Sequence, residues 1–423
     1  MRHIFLLFAL LCSVAVQASF DEWFVDRTLR LDFIFSGDSI EQNISLDEMF
    51  SLPYWAGRRH HLDQLHLEGN GQIIMTDSAT GKTIYCHSFS TLFQEWQHTP
   101  EARQRKKAFE NCFQLPMPRK AVNVTVCLRN SHREITAIQT FPISPSDILI
   151  HQLDTAKTLP HRYIAKGGEI DKSINIAILA EGYRMDELDS FYADANRMAD
   201  QLFVHEPFKK YKHKFNIIAV ASPSEDSGVS VPRNGEWKNT ALSSHFDTFY
   251  SDRYLTTLHL KKMNDLLTGI PFEHIIVLAN TDVYGGGGIY NLYMLSSIHH
   301  RWSLPVCVHE FGHSFAGLAD EYGYAEDTEP YYHQGVEPWE KNITTLTDFS
   351  SKWANMVADN TPIPTPEHTG TDYENVGVYE GAGYLKHGVY RPAQDCRMKV
   401  NNVPAFCRVC QKAIEELILF YTE

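Results

Sequence analysis

The chain lacks any basic run and any basic amphipathic stretch, and its formal net charge is −14 over 423 residues. A surface that acidic repels phosphate backbones, so nucleic acid is not expected as a partner. Beyond the first eighteen residues, no segment is apolar over the roughly 20 residues that a bilayer-spanning helix needs, so stable membrane insertion is not expected either. Internal repeats and low-complexity tracts are missing as well. With 43% hydrophobic and 21% charged residues, the composition is that of a folded globular protein and argues against extensive disorder.

Cysteine is sparse, and its spacing is incomplete for the usual cysteine motifs. Cys407-x-x-Cys410 could be half of a zinc ribbon, but no second Cys-x-x-Cys supplies the other two ligands. No thioredoxin-like context makes it a redox motif. The first residues read as an export signal: Arg2 is positive, Ile4 to Val16 is apolar, and Val16-Gln17-Ala18 places small residues at a cleavage site. A signal peptide over 1–18 and a secreted, periplasmic or cell-surface location are therefore expected. Export permits disulfides, so a disulfide involving Cys396 and the Cys407/Cys410 pair is the preferred reading. Cys86, Cys112, Cys127 and Cys307 are left without an assigned pairing.

Short alternating or β-branched runs fill residues 19–153. They include Leu29 to Phe35, Gln72 to Met75, Thr83 to Cys86 and Val122 to Cys127, separated by turn signals such as Ser36-Gly37-Asp38. This pattern predicts a β-sandwich-like N-terminal domain. His60 and His61 fall in a loop with no ligand partner at useful spacing. After a Pro- and Gly-rich boundary near 142–168 the elements lengthen. Strands are expected at Ser173 to Leu179, Phe215 to Val220, His274 to Leu278 and Ile289 to Leu295. An amphipathic helix is expected over Asp189 to Phe203, and a closing helix over Pro404 to Tyr421. The alternation predicts an α/β domain over 154–423, and an α+β protein as a whole.

One segment carries chemistry: His309-Glu310-Phe-Gly-His313, followed by Gly317, Asp320 and Glu321. Residues four apart share a helix face, so His309 and His313 can present imidazoles to one cation. Zinc suits such ligands, and a catalytic site keeps three of them with a position for water. Glu310 stands where its carboxylate can take a proton from that water. Gly317 allows a sharp turn, after which Asp320 or its neighbour Glu321 can return as third ligand. Asp320 fits the metzincin spacing, with one extra residue before the glycine; Glu321 is then left to hydrogen-bond a ligating histidine. The pattern implies about one zinc per chain. Gly285 to Gly288 is followed by no Lys-Ser/Thr and is not a phosphate loop; it reads as the entry to an edge strand along the cleft.

The segment His309 to Tyr322 resembles the bacterial IgA-peptidase family of zinc metallopeptidases, family 64. So do Gly377-Val-Tyr-Glu-Gly-Ala-Gly-Tyr384, Gly388-Val-Tyr-Arg-Pro392, Cys396-Arg-Met398 and Pro404-Ala-Phe-Cys-Arg-Val-Cys410. The resemblance implies zinc bound by His309, His313 and Asp320, with Glu310 as catalytic base. It also implies a metzincin-like fold in which Met398 forms the Met-turn under the metal, although a buried methionine also serves as core filler. Tyr390 and Arg391 are candidates for assisting the developing oxyanion. The expected function is a secreted zinc endopeptidase acting on protein or peptide substrates. The alternatives are an inactive peptidase-like binding protein and a zinc amidase acting on cell-wall peptides.

Overall fold

The computed structural model describes residues 20–324 and 331–423; the signal-peptide reading over 1–18 lies outside the described residues. The N-terminal part holds a short helix α1 (Phe20–Trp23) and strands β1 (Phe24–Gly37), β2 (Gln42–Pro53), β3 (Gly71–Asp77) and β4 (Thr83–Phe89). Helix α2 (Leu92–Trp96) follows, then β5 (Lys107–Pro118), β6 (Val122–Arg129), β7 (Ile135–Ile143) and β8 (Ile150–Gln152). These strands form two four-stranded sheets, ordered β5-β1-β2-β8 and β4-β3-β6-β7. Leu29, Leu31, Phe33 and Phe35 on β1 all enter one apolar core, one face of the strand, while Arg30 and Asp32 between them are buried as an ion pair.

The second part opens with β9 (His161–Lys166), β10 (Ile174–Glu181), α3 (Leu188–Leu202), β11 (Phe215–Val220) and α4 (Leu260–Leu266). It continues with β12 (His274–Ala279), β13 (Gly286–Ile289), β14 (Tyr293–Ser297) and α5 (Ser303–Ala316), then β15 (Tyr379–Ala382), β16 (Leu385–Arg391) and α6 (Arg408–Thr422). A six-stranded sheet runs β13-β14-β12-β10-β11-β9. Its inner strands β14, β12, β10 and β11 are parallel, and β9 and β13 pair antiparallel at the two edges. Strand β10 is buried along its whole length, as a parallel strand covered on both faces must be.

The covering of those faces sets the architecture. Ile176, Ile178, Ile217 and Ala219 point into one core, shared with Met198, Phe311, Phe315 and Ile414 of α3, α5 and α6. Ala177, Leu179, Ile218 and Val220 point the other way, into a core continuous with Phe35, Phe89 and Phe113 of the N-terminal sheets. Val231, Phe246, Leu260 and Met263 share that core, so the N-terminal module and the segment around α4 together make up the side of the sheet opposite α3, α5 and α6. Polar contacts cross the same junction: the buried Arg30 guanidinium donates to Asp265 at 2.7 Å, and Asn175 Nδ2 donates to the carbonyl of Ala56 at 2.9 Å.

One expected strand is different. Ile289 to Leu295 is not continuous: β13 and β14 form a hairpin that turns at Asn291, whose φ is 53°. The apolar alternation hides this turn because its partners are distant in sequence. The Asn291 N–H donates to Ser314 O and its Nδ2 to Ser88 O, both at 2.8 Å, and asparagine tolerates the left-handed region. The glycine run itself is the edge strand rather than its entry.

Candidate metal centre

Helix α5 is apolar on almost all sides, which buries it between the six-stranded sheet and α6. His309 and His313 lie one turn apart on its remaining face. The helix stops at Gly317, whose φ is 57°. The N–H of Gly317 donates to His313 O at 3.0 Å and that of Leu318 to Gly312 O at 3.2 Å, a glycine-dependent C-terminal cap. The chain then reverses and brings Asp320 back over the two imidazoles.

Three atoms converge there. Nε2 of His309 and Nε2 of His313 are 3.0 Å apart, and Oδ1 of Asp320 lies 3.0 Å from the first and 3.3 Å from the second. Ligands about 2.0–2.1 Å from a tetrahedral zinc stand about 3.3 Å from one another, so the triangle has the right size. The protonation pattern agrees. His309 Nδ1 bonds the carbonyl of Arg397 at 2.9 Å and His313 Nδ1 that of Leu318 at 2.5 Å. Each Nδ1 must donate, which leaves each Nε2 with its lone pair turned to the centre. Asp320 Oδ1 is buried and receives no hydrogen bond. Two imidazole nitrogens and a carboxylate oxygen at this spacing need a positive charge between them, and a metal cation takes that place by displacing a proton.

Charge follows the same geometry. Burial works against a charged His313, yet the Asp320 carboxylate outweighs it and holds the imidazolium up to about 9. Burial likewise opposes the Asp320 carboxylate, and the two histidines overcome it, holding the group well below the usual range. For Glu310, burial wins over the neighbouring histidines and the carboxyl is pushed up, the direction that suits a proton acceptor near neutral pH. Glu310 lines the same cleft as the three converging residues, a cavity of about 730 Å³.

The remaining candidates separate. Met398 is fully buried under α5: its Sδ lies 2.7 Å from where a Cβ on Gly312 would stand. Its carbonyl accepts the N–H of Glu321 at 2.9 Å. Glu321 does not reach a histidine; it turns into the interior, where Oε1 accepts from Asn342 Nδ2 at 2.9 Å and lies 2.9 Å from Cys410 Sγ. Tyr390 is not among the residues lining the cleft, because its strand pairs with Thr344. Arg391 is buried beside it and donates to the carbonyls of Glu380 and Gly381 at 2.7 Å. All four residues Gly285 to Gly288 line the cleft.

Other residues in the cleft were not singled out from the sequence. Tyr384 donates its hydroxyl to Asp320 Oδ2, and it ends the Gly377 to Tyr384 segment that carried part of the resemblance. The N-terminal module adds Asn70, Ser90 and Glu95 to the wall. Burial pushes the Glu95 carboxyl up to about 7, against the hydrogen bond it accepts from Tyr254. No local motif marks Glu95, since only the docking of the two parts brings it to the cleft.

The model of the family described as IgA Peptidase M64 matches residues 163–375 and 368–418. A second, described as Peptidase M64 N-terminus, matches residues 19–140. No curated protein matches the chain.

Proposed function

The chain belongs to the IgA peptidase M64 family and so is a peptidase, and on that premise we propose that it is an exported zinc endopeptidase. The proposed ligands are His309, His313 and Asp320, with Glu310 as general base. The observation that carries this reading is the triangle of lone pairs, 3.0 to 3.3 Å on a side, in the cleft that also holds Glu310. Zinc bound there supplies Lewis acidity and lowers the pKa of a water towards about 7. Glu310 then accepts a proton from water and returns it to the departing amine. The carbonyls of Arg397 and Leu318 hold the imidazole tautomers, and Tyr384 orients the Asp320 carboxylate. Substrate enters the cleft beside the glycine strand β13, whose Gly286 N–H is already taken by the Arg253 carbonyl at 3.2 Å.

We read the surrounding fold as metzincin-like. The zinc helix, the turn at Gly317, the buried Met398 beneath Gly312 and the antiparallel edge strand support that reading. Export is supported by the order of charge, apolar run and small residues at the start of the chain. The substrate class is protein or peptide; the immunoglobulin in the family's description is not carried over to this cleft.

Glu310→Gln tests the reading. It keeps size and helix propensity but cannot take the proton. Metal content and melting should match wild type while turnover of labelled casein falls at least roughly a hundredfold. Near-normal turnover removes Glu310 as the base, and loss of metal makes it a ligand instead.

A further inference from the structure

Behind the cleft, four side chains that peptide hydrolysis does not use meet in the interior. Glu321 comes from the turn after Asp320, Cys396 from the loop just before Met398, and Cys407 and Cys410 from the start of α6. All four are buried, and one ligand atom from each lies within 4.8 Å of all the others. The expected disulfide is not formed: the seven cysteines among the described residues are free. Cys396 Sγ and Cys410 Sγ stand 3.8 Å apart, the separation of about 3.8 Å that two thiolates take on a tetrahedral zinc with Zn–S bonds of about 2.3 Å. The Cys407 N–H points at Cys396 Sγ from 3.2 Å, as amides do around bound thiolates.

A further observation points to a ligand. Glu321 Oε2 is buried with no hydrogen-bond partner, an arrangement that is costly for a carboxyl unless a cation meets it.

We propose that Glu321, Cys396, Cys407 and Cys410 form a second metal site that holds a structural zinc ion. Thiolates select zinc over magnesium, calcium or manganese. Four protein ligands close the tetrahedron, so the site has no position for substrate or water. Its ion ties three pieces together: the segment carrying Asp320, the Met398 loop and α6. The stoichiometry then rises from the single zinc implied by the histidine motif to two per chain.

Metal analysis of the full-length protein tests this, with variants that separate the two centres. Wild type should hold about two zinc ions, and the His309→Ala/His313→Ala double variant about one. Reconstituted with cobalt, that double variant should show the near-ultraviolet thiolate-to-cobalt charge-transfer band, which imidazole and carboxylate ligands cannot give. A variant that fails to fold is bypassed in wild type: mercurial modification of thiols should release about one zinc and leave the other bound. No zinc released by thiol modification, no charge-transfer band, or an intact mass showing a disulfide at Cys396 would overturn the proposal. A chain whose one zinc leaves with its thiols would instead keep this site and sink the histidine centre.

Discussion

Gly288 lies on the edge strand β13 where it crosses the helix that carries the histidines, and only a hydrogen fits there. A Cβ at this position would stand 2.2 Å from the carbonyl oxygen of Glu310 and 3.0 Å from Cβ of His313. Comfortable contacts begin near about 3.5 Å, so the shortfall against the oxygen is about 1 Å. Neither neighbour can rotate away, because one is backbone and the other is fixed to it. In Gly288→Ala, strand and helix must part by that amount. Overpacking of this kind costs about 1–3 kcal/mol, and a misplacement of about 1 Å at reacting groups costs roughly a hundredfold in rate. Calorimetric melting and casein turnover should therefore both fall. Gly286→Ala provides the scale for melting: its nearest neighbours, Cγ of Glu310 and the carbonyl oxygen of Leu295, stand at 3.1 Å, so its loss of stability should be smaller. Wild-type melting and turnover in Gly288→Ala, or a lower melting temperature in Gly286→Ala than in Gly288→Ala, would show that strand and helix do not meet as described.

Asp320→Ala should empty the histidine centre, whereas Glu321→Ala should leave it filled; the zinc that stays bound after mercurial modification of the thiols reads both, and the reverse order would mean that the wrong neighbour had been assigned. Tyr384→Phe removes the donor on Asp320 Oδ2, so chelator competition should find metal affinity lowered about 10- to 100-fold; an unchanged affinity denies that role. His274 is buried with no partner for Nε2, and burial followed by His87 holds its pKa down to about 3. The unfolded chain takes up this proton near pH 6.5 and the native chain only near 3, so stability falls as pH drops across that window, by up to about 1.4 kcal/mol per unit. His274→Phe keeps the ring contacts with Phe315 and Tyr421 and should move the acid unfolding midpoint to lower pH; no movement refutes the argument.

Elements set by local pattern were legible before the structure. Phe215 to Val220 is a strand with those same ends, and the helix expected over Asp189 to Phe203 spans Leu188–Leu202. The convergence of His309, His313 and Asp320 was legible because i,i+4 spacing and a helix-ending glycine are local rules. What escaped depends on contacts between distant segments. The hairpin at Asn291 is held by Ser88 and Ser314, the turn of Glu321 away from the histidines by Asn342, and the exclusion of Tyr390 from the cleft by Thr344. Glu95 reaches the cleft only because the N-terminal module docks there. Cys407-x-x-Cys410 looked like half a motif because its complement is one cysteine and one carboxylate from two other loops, a set with no characteristic spacing.

The docking of the N-terminal module on the six-stranded sheet has a consequence for how the chain folds and can be handled. Without the N-terminal module, the core that Ala177, Leu179, Ile218 and Val220 share with Phe35, Phe89 and Phe113 would be opened to water, and the contacts of Arg30 and Asn175 across the junction would be lost. The two regions are therefore halves of one cooperative unit, not beads on a string, and heating should produce a single calorimetric transition in place of two. Excision of the peptidase half would yield an aggregation-prone fragment with an incomplete cleft wall. A relative carrying a different leader would, by the same geometry, inherit a differently shaped entrance for its substrates.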